Sequence, residues 1–586
     1  MNFLKNILST VIGIFVFLMI VFFGLIFIAA VFGGNSDGVK VANNSVLELD
    51  LSEIENDYAG KFNFKDFNYF ETNNNGLSDV IKGIEVAKTD DNIKGISILN
   101  NSSNLQLAQI SELRKTLEDF KKSGKFVWAY ANSFTQKEYY LNSVANIIYL
   151  NPVGEMDFKG LSTEVMFFKD FQEKSGLKME VIRHGKYKSA VEPFLENNMS
   201  EANRQQTTAL LNSLWNVVVN DIAVSRKISV EKLNQVATGL LARTPEMAKQ
   251  EKLIDKIAYE DEYHNAINQM LNLEKEENYK KINIVDYTFN IANSSMDFET
   301  NKLAIIYAQG EIMSGEGDIN TIGELSMRRS LQDARKDNDV KAIVLRINSP
   351  GGNALTSDLI WREIEITKKV KPIVVSMGNY AASGGYYIAC NANKIFAESS
   401  TITGSIGVFG ALPNFTTAAN RLGINTVQVR TNDNASEYSP FVQLDEKFKT
   451  LTTESVERIY NIFVKRVAAG RKMTFENVDS IAQGRVWSGA DAKKNELVDE
   501  IGSLNDAVKY AAKLTKIDKY STVNYPVFEK DFGSFLQDAG MPFAKSKESI
   551  IKSEIGSENY KILEKVKKMQ ARKGIQALMQ FEINVK

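Results

Sequence analysis

The sequence predicts an α/β protein with two tandem domains, each built on a mainly parallel sheet, behind a single N-terminal membrane-spanning helix. Three observations carry this expectation. An uncharged apolar run lies near the start of the chain, and the rest repeats itself at an offset of about 247 residues. Within each copy, short β-rich runs alternate with amphipathic helical stretches, the pattern of βα units.

The apolar run extends from Ile7 to Phe32 without a charged residue. As a helix it would measure ~39 Å at 1.5 Å per residue, enough to cross a bilayer with tilt. It exceeds the apolar core of a cleavable signal peptide, although Ala29 and Ala30 make a cleavage site conceivable. Residues 1–34 are therefore read as a cytoplasmic stub and uncleaved anchor, in contact with membrane lipid. Lys5 and the amino terminus supply the positive charge ahead of the span, which places the remaining chain outside the cytoplasm.

The repeat is seen where IKGISI (Ile93 to Ile98) matches VKAIVL (Val340 to Leu345), and where KFVWAY from Lys125 matches KPIVVS from Lys371. Register then holds through Tyr139-Tyr140 on Tyr386-Tyr387, Gly160 on Gly407, Gly176 on Gly423, Arg183 on Arg430 and Pro193-Phe194 on Pro440-Phe441. Near the end of each copy AKQEKLID (Ala248 to Asp255) resembles AKKNELVD (Ala492 to Asp499). The first domain is expected over 44–294 and the second over 302–525. A basic tail over 531–586 follows, in which NYKILEKVKKMQARKGIQALMQ reads as an amphipathic helix.

Composition narrows the chemistry. Lys and Arg total 70 against 72 Asp and Glu, a net charge of −2, so no bulk positive field exists to hold nucleic acid. A single cysteine, Cys390, excludes internal disulfides and multi-Cys zinc sites, and two histidines, His184 and His264, cannot build a three-His metal centre. No metal and no cofactor is expected. Cys390 lies on an apolar helix and reads as a core thiol.

Two signals in the second copy point to acyl chemistry. The strand KAIVLRI runs into NSPGGNA, and paired glycines there let backbone N–H groups approach a ligand as an oxyanion pocket. The next strand, PIVVSM, leads to GNYAASGGYYIAC, where Ser383 falls at a strand-to-helix turn. Such a turn projects Oγ into a cleft beside the following amide. Ser383 is thus a candidate nucleophile, with an oxyanion hole from Gly384 and Gly351 or Gly352. The histidines are poorly placed as its base. A lysine made neutral by burial is the alternative, and composition alone does not choose among the lysines.

The runs GKYKSAVEPF (Gly185 to Phe194), INSPGG (Ile347 to Gly352), MGNYAASGGYYIAC (Met377 to Cys390) and TITGSIGVFG (Thr401 to Gly410) resemble the signal peptide peptidase A, or protease IV, family in its long, two-domain form. The resemblance covers essentially residues 1 to 530. It implies two ClpP/crotonase-like domains and a membrane-anchored serine protease with a Ser/Lys dyad, which degrades cleaved signal peptides and other extended apolar peptides. It also implies a homotetramer enclosing a bowl open to a bacterial inner membrane, with the catalytic domains on the periplasmic side. Carried over residue by residue, the nucleophile falls on Ser383 and the general base on Lys188. The serine that hydrogen-bonds the lysine falls on Ser405.

The repeat bears on this division independently. The repeat partner of Lys188 is Ala435 and that of Ser383 is Gln136, so each copy keeps one half of a dyad. GKYKS of the first copy is therefore expected to reach into the second, bringing Lys188 Nζ to about 2.6–3.2 Å from Ser383 Oγ. In the first copy NSSNLQ stands where the second has SPGG. Small and aliphatic residues around VFGALP suggest a pocket for apolar side chains. Two other readings are a crotonase-like acyl-CoA enzyme, which would not need the reciprocal loss between copies, and a non-catalytic membrane scaffold, which would not need Ser383, Gly384, Lys188 and Ser405 together.

Overall fold

The computed structural model describes residues 2–530, apart from 33–40, 53, 55, 65–68, 101, 275–276, 295–298, 433–434 and 436–437, together with 551, 554–556, 560, 563 and 575–579. Its first sheet is parallel throughout, in the order Lys256–Ile257, Ile147–Leu150, Phe126–Ala131, Ile93–Leu99, Ser45–Glu48, Lys280–Asn283. A second parallel series repeats that order: Glu500–Ile501, Lys394–Ala397, Ile373–Ala382, Val340–Ser349, Lys302–Gln309, Ser521–Tyr525. The central strands are near-continuous apolar runs because both faces of a parallel sheet are covered. In Val340–Ser349, for instance, eight of ten residues are buried.

The duplication extends to side chains. Helices Glu201–Arg226 and Glu446–Arg471 have 26 residues each and end on left-handed lysines, Lys227 and Lys472. Arg226 grips Asp255 through contacts of 2.8 and 3.1 Å, and Arg471 grips Asp499 at the same two distances. Each aspartate also accepts from a strand amide, Ile148 or Ile395. These aspartates close the matching motifs KLID and ELVD, so the resemblance between the motifs has a structural cause.

The copies are joined by a buried polar knot. Arg346 of the second donates through Nε to Asp57 and through a terminal nitrogen to Glu112 of the first, both at 2.7 Å, and all three side chains are at most 2% exposed. Gln109 bonds Asp57 at 2.8 Å and exchanges bonds with Asn379, while the Leu504 amide donates to Glu112 at 2.7 Å. Buried charges in an apolar setting are tolerated only when their hydrogen-bonding capacity is met in this way, and the knot fixes how the copies sit together.

Helix Asn2–Phe32 includes Lys5–Gly24, whose mean hydropathy reaches 2.7 with none of that stretch buried. It is long and apolar enough to cross a membrane. The helix expected across the basic tail does not run to its end. Gln576–Leu578 is a strand, paired on one side with Gly351–Asn353 and on the other with Phe409. Sheet partners on both sides override the helical pattern of those residues. Most of the tail lies outside the described residues.

Candidate active site

The path of Lys188 begins with a strand exchanged between copies. Lys178–Arg183 of the first copy pairs antiparallel with Phe409–Asn414 of the second, from Arg183 opposite Phe409 to Lys178 opposite Asn414. The chain leaving this strand is led inward by backbone bonds, His184 N–H to Val408 O at 3.2 Å and Tyr187 N–H to Gln483 O at 3.0 Å. Lys188 follows at the entrance to a single 3₁₀ turn, Ser189–Val191.

Two glycines of the second copy make room for it. Gly484 has φ +82°, and a Cβ there would stand 2.6 Å from Lys188 Cβ and 2.7 Å from its Cα and N. A Cβ on Gly407 would lie 3.3 Å from Lys188 Cδ. The lysine stem is therefore laid along bare backbone, and the side chain is fully buried. Sequence reasoning did not single out Gly484. Its run, IAQGRVW, has no mark of a site, and only the approach of another segment shows why glycine is needed.

Ser383 stands between strand Ile373–Ala382 and helix Gly384–Ala389 with φ +54° and ψ −114°. That conformation is costly for a residue with a side chain. It is held by Ser383 N–H to Gly404 O at 2.8 Å and Tyr387 N–H to Ser383 O at 2.8 Å. The turn aims Oγ at Lys188.

Lys188 Nζ lies 2.8 Å from Ser383 Oγ, 3.1 Å from Ser405 Oγ and 3.2 Å from Ser405 O. An ammonium has three N–H groups and meets three acceptors here. Ser405 Oγ is itself fixed by donating to Gly484 O at 3.3 Å, and Ser383 Oγ reaches Gly407 O at 3.2 Å. Burial alone holds the Lys188 amine well below the usual lysine range, since no carboxylate contributes to its shift. A neutral amine can accept the serine proton.

The glycine pair lies beside Ser383. Gly351 has φ +102°, and its N–H donates to Ser349 Oγ at 3.1 Å. A Cβ on Gly384 would fall 3.2 Å from Gly352 N, so the Gly352 amide borders the residue that follows the serine. With Gly351 N–H engaged, the N–H groups of Gly352 and Gly384 are the better pair for a developing oxyanion. The structure thus brings Ser383, Lys188, Ser405, Gly352 and Gly384 into one pocket, with Gly351 shaping its wall.

The histidines stand apart. His184 stacks on Tyr460 with centroids 4.0 Å apart, and His264 Nδ1 meets Tyr279 Oη at 2.7 Å. Among the described residues no hydrogen bond links either to Ser383. Cys390 is fully buried with its thiol pushed up to about 12 by burial, as suits a packing residue. No group of three His, Cys, Asp or Glu side chains among the described residues is arranged to hold a metal ion.

Comparison with known proteins matches peptidase family S49 at residues 119–274 and 365–518, one region in each copy. Protease 4 of Salmonella typhi is 37% identical over 456 residues, spanning 76% of this chain and 73% of that protein. Protease 4 of Haemophilus influenzae is 36% identical over 448 residues, 74% of this chain and 72% of its own. The chloroplastic serine protease SPPA of Arabidopsis thaliana is 31% identical over 503 residues, 82% of this chain and 70% of its own.

Proposed function

Because the chain belongs to peptidase family S49, we propose that this serine peptidase is a membrane-anchored endopeptidase that degrades cleaved signal peptides and other extended apolar peptides through an acyl-enzyme on Ser383. The observation that carries the reading is the 2.8 Å contact between Ser383 Oγ and a fully buried Lys188 delivered by the other copy.

In this mechanism neutral Lys188 takes the Ser383 proton as Oγ adds to the substrate carbonyl. The N–H groups of Gly352 and Gly384 hold the oxyanion. The ammonium of Lys188, held by Ser405 Oγ and O, then protonates the departing amine. Water adds to the acyl carbon with the same lysine as base, and Ser383 is regenerated. The helix Asn2–Phe32 is assigned as the anchor, single-pass in a bacterial cytoplasmic membrane with both domains on the periplasmic side, following the charge of Lys5.

The repeat also supports a closed head-to-tail ring, the kind of assembly in which the homotetramer implied by the resemblance would be built. Residues 425–430 are the counterpart of strand 178–183 and lie outside any strand, with Val427 and Val429 86% and 97% exposed. Residues 162–167, the counterpart of strand 409–414, lie outside any helix or strand and alternate in exposure. Pairing 425–430 of one copy with 162–167 of the next repeats the contact seen inside the chain and builds a head-to-tail ring. Val427→Asp with Val429→Asp should yield monomers by light scattering, and a monomeric wild type would refute the ring.

The function is tested by hydrolysis of a short apolar chromogenic peptide at pH 6 to 10. Wild type should gain activity through an alkaline limb well below 10.5, the ordinary lysine value, while Lys188→Ala should lose turnover. Equal rates would remove the dyad. Fluorophosphonate should label wild type and not Ser383→Ala, which also separates this reading from a scaffold.

A further inference from the structure

The turn that carries Lys188 is held by one buried amide from elsewhere in the first copy. Gln206 stands in the second turn of helix Glu201–Arg226 and is 1% exposed. Its Nε2 donates to Tyr187 O at 3.0 Å and to Ser189 Oγ at 2.7 Å, on either side of the lysine in sequence. Ser189 Oγ in turn donates to Asn203 Oδ1 at 2.8 Å, in the first turn of the same helix. The partners fix which way the amide faces, because turning it over would set Oε1 against the Tyr187 carbonyl.

Oε1 faces the other copy and accepts from Val486 N–H at 3.4 Å. That contact falls on the segment that shapes the site. Gly484 lies against the lysine stem, and Ser405 N–H donates to Arg485 O at 2.7 Å. Strand Val486–Ser488 pairs with Ile402–Gly404, which leads into Ser405. One amide therefore ties the turn that carries the base to the segment that places two of the acceptors around its ammonium. Ser213, two turns further along the helix, bonds Ser488 Oγ at 2.7 Å, a contact that involves no residue of the lysine turn.

The repeat separates this amide from ordinary helix packing. Helices Glu201–Arg226 and Glu446–Arg471 correspond residue for residue over 26 positions, so Gln206 falls on Leu451 and Asn203 on Phe448. Leu451 is 50% exposed. The copy that has Ala435 at the lysine position thus has no amide at either place. An amide that only fastened helix to sheet would serve both copies equally, whereas one that holds the lysine is needed in the first alone.

We propose that Gln206 is the positioning residue of the general base, its side-chain amide fixing the backbone on both sides of Lys188 against the second copy. The proposal rests on the serine/lysine reading above and deepens it. Pinned at Tyr187 O and Ser189 Oγ, the turn can neither retreat from Ser383 nor open to water, so the distance and the burial of the amine are set together. The charged groups against the turn are cations: Arg183 donates to Lys188 O at 3.2 Å, and Lys186 Nζ and Arg485 Cζ lie 5.0 and 5.1 Å from the Tyr187 ring centroid. The carboxylate that follows, Glu192, is engaged by Ser200 N–H at 2.6 Å and Ser200 Oγ at 3.0 Å.

The test compares Gln206→Leu, which installs the other copy's residue, with Ser213→Ala on the same helix. Both are made as full chains in detergent and followed by hydrolysis of the chromogenic peptide from pH 6 to 10 and by thermal unfolding. Gln206→Leu should lower kcat by about 10- to 100-fold near neutral pH with KM within about twofold, since the base is displaced and the peptide's own contacts are not. With the amine less buried, the alkaline limb should move up toward 10.5, the ordinary lysine value, so the deficit shrinks as pH rises. Ser213→Ala should lose thermal stability and keep the wild-type kcat and limb. Ser189→Ala, which removes one acceptor of the amide, should lower kcat by about 3- to 10-fold and decides the matter if Gln206→Leu does not fold. Wild-type kcat and limb in Gln206→Leu, or in Ser189→Ala where it stands in, overturn the proposal. So does a loss of kcat with an unmoved limb, or one that Ser213→Ala matches. If Lys188→Ala turns over as fast as wild type, the serine/lysine reading falls and this proposal with it, so the two failures are distinguishable.

Discussion

Replacing Gly484 by alanine tests whether the lysine is positioned by backbone contact, because the new methyl group has nowhere to go. Its carbon would stand 2.6 Å from Lys188 Cβ and 2.7 Å from Lys188 Cα and N, where ordinary contact begins at 3.4 Å. None of these atoms is the free end of a flexible side chain, so Lys188 has to retreat by about 0.8 Å, the difference between 3.4 and 2.6 Å. Added to the present 2.8 Å, such a shift takes Nζ to roughly 3.6 Å from Ser383 Oγ, outside hydrogen-bonding range. A misplacement of that size lowers kcat by about 10²-fold.

Stability should fall as well. A left-handed φ of +82° costs a non-glycine residue about 1–2 kcal/mol, and overpacking adds about 1–3 kcal/mol. Gly423→Ala separates the two contributions, because Gly423 has φ +78° with nothing within 4 Å of the added carbon. That control should show the backbone cost alone and retain wild-type kcat. Steady-state hydrolysis and thermal unfolding on both variants suffice. Wild-type kcat in Gly484→Ala would refute the argument that close approach across the copies sets the lysine.

Ser405→Ala removes one of three acceptors from the Lys188 ammonium, a bond worth about 1.5–3 kcal/mol to a charged group, so kcat should fall roughly 10- to 100-fold with KM little changed. Lys188→Met should be inactive yet more stable than wild type, measured by denaturant unfolding across pH. The unfolded lysine binds a proton that the folded one sheds at lower pH, so wild-type stability rises with pH up to 10.5 and the advantage of methionine shrinks over the same window. Arg346→Leu leaves Asp57 and Glu112 buried without their cation and should cost about 3–5 kcal/mol in unfolding free energy, whereas a loss below about 1 kcal/mol would show that the knot does not join the copies.

Much of this was legible in the chain. Strands Val340–Ser349 and Ile373–Ala382 announce themselves as short runs rich in β-branched and aliphatic residues, and the serine after the second is marked by small residues on both sides. The environment of the base does not announce itself. Lys188 carries no local signature of burial, since Lys186 stands two residues away and the desolvating atoms come from Gly407 and Gly484, more than two hundred positions later. The strand at Gln576–Leu578 was hidden for a related reason. Its residues suit a helix, and only the strand edges at Gly351–Asn353 and Phe409, distant in sequence, make extension favourable.

The two copies explain why the site is split. Gln136 occupies the repeat position of Ser383, and it closes the first copy's pocket on itself: Oε1 accepts from Lys159 N–H at 2.9 Å and Gly160 N–H at 2.8 Å, and Nε2 donates to Gly160 O at 3.0 Å. In the second copy the repeat partner of Gly160 is Gly407, whose carbonyl is the one Ser383 Oγ reaches at 3.2 Å. The same loop is thus held by the same turn in both copies, by an amide in one and a hydroxyl in the other. The amide uses its capacity on the loop backbone, which leaves the first copy a stable scaffold with no nucleophile. The hydroxyl, shorter and bound to the loop by a single long contact, remains available to Lys188. A duplicated fold can therefore give one copy the task of delivering a base and the other that of presenting a nucleophile, provided that a strand such as Lys178–Arg183 crosses between them to set the distance.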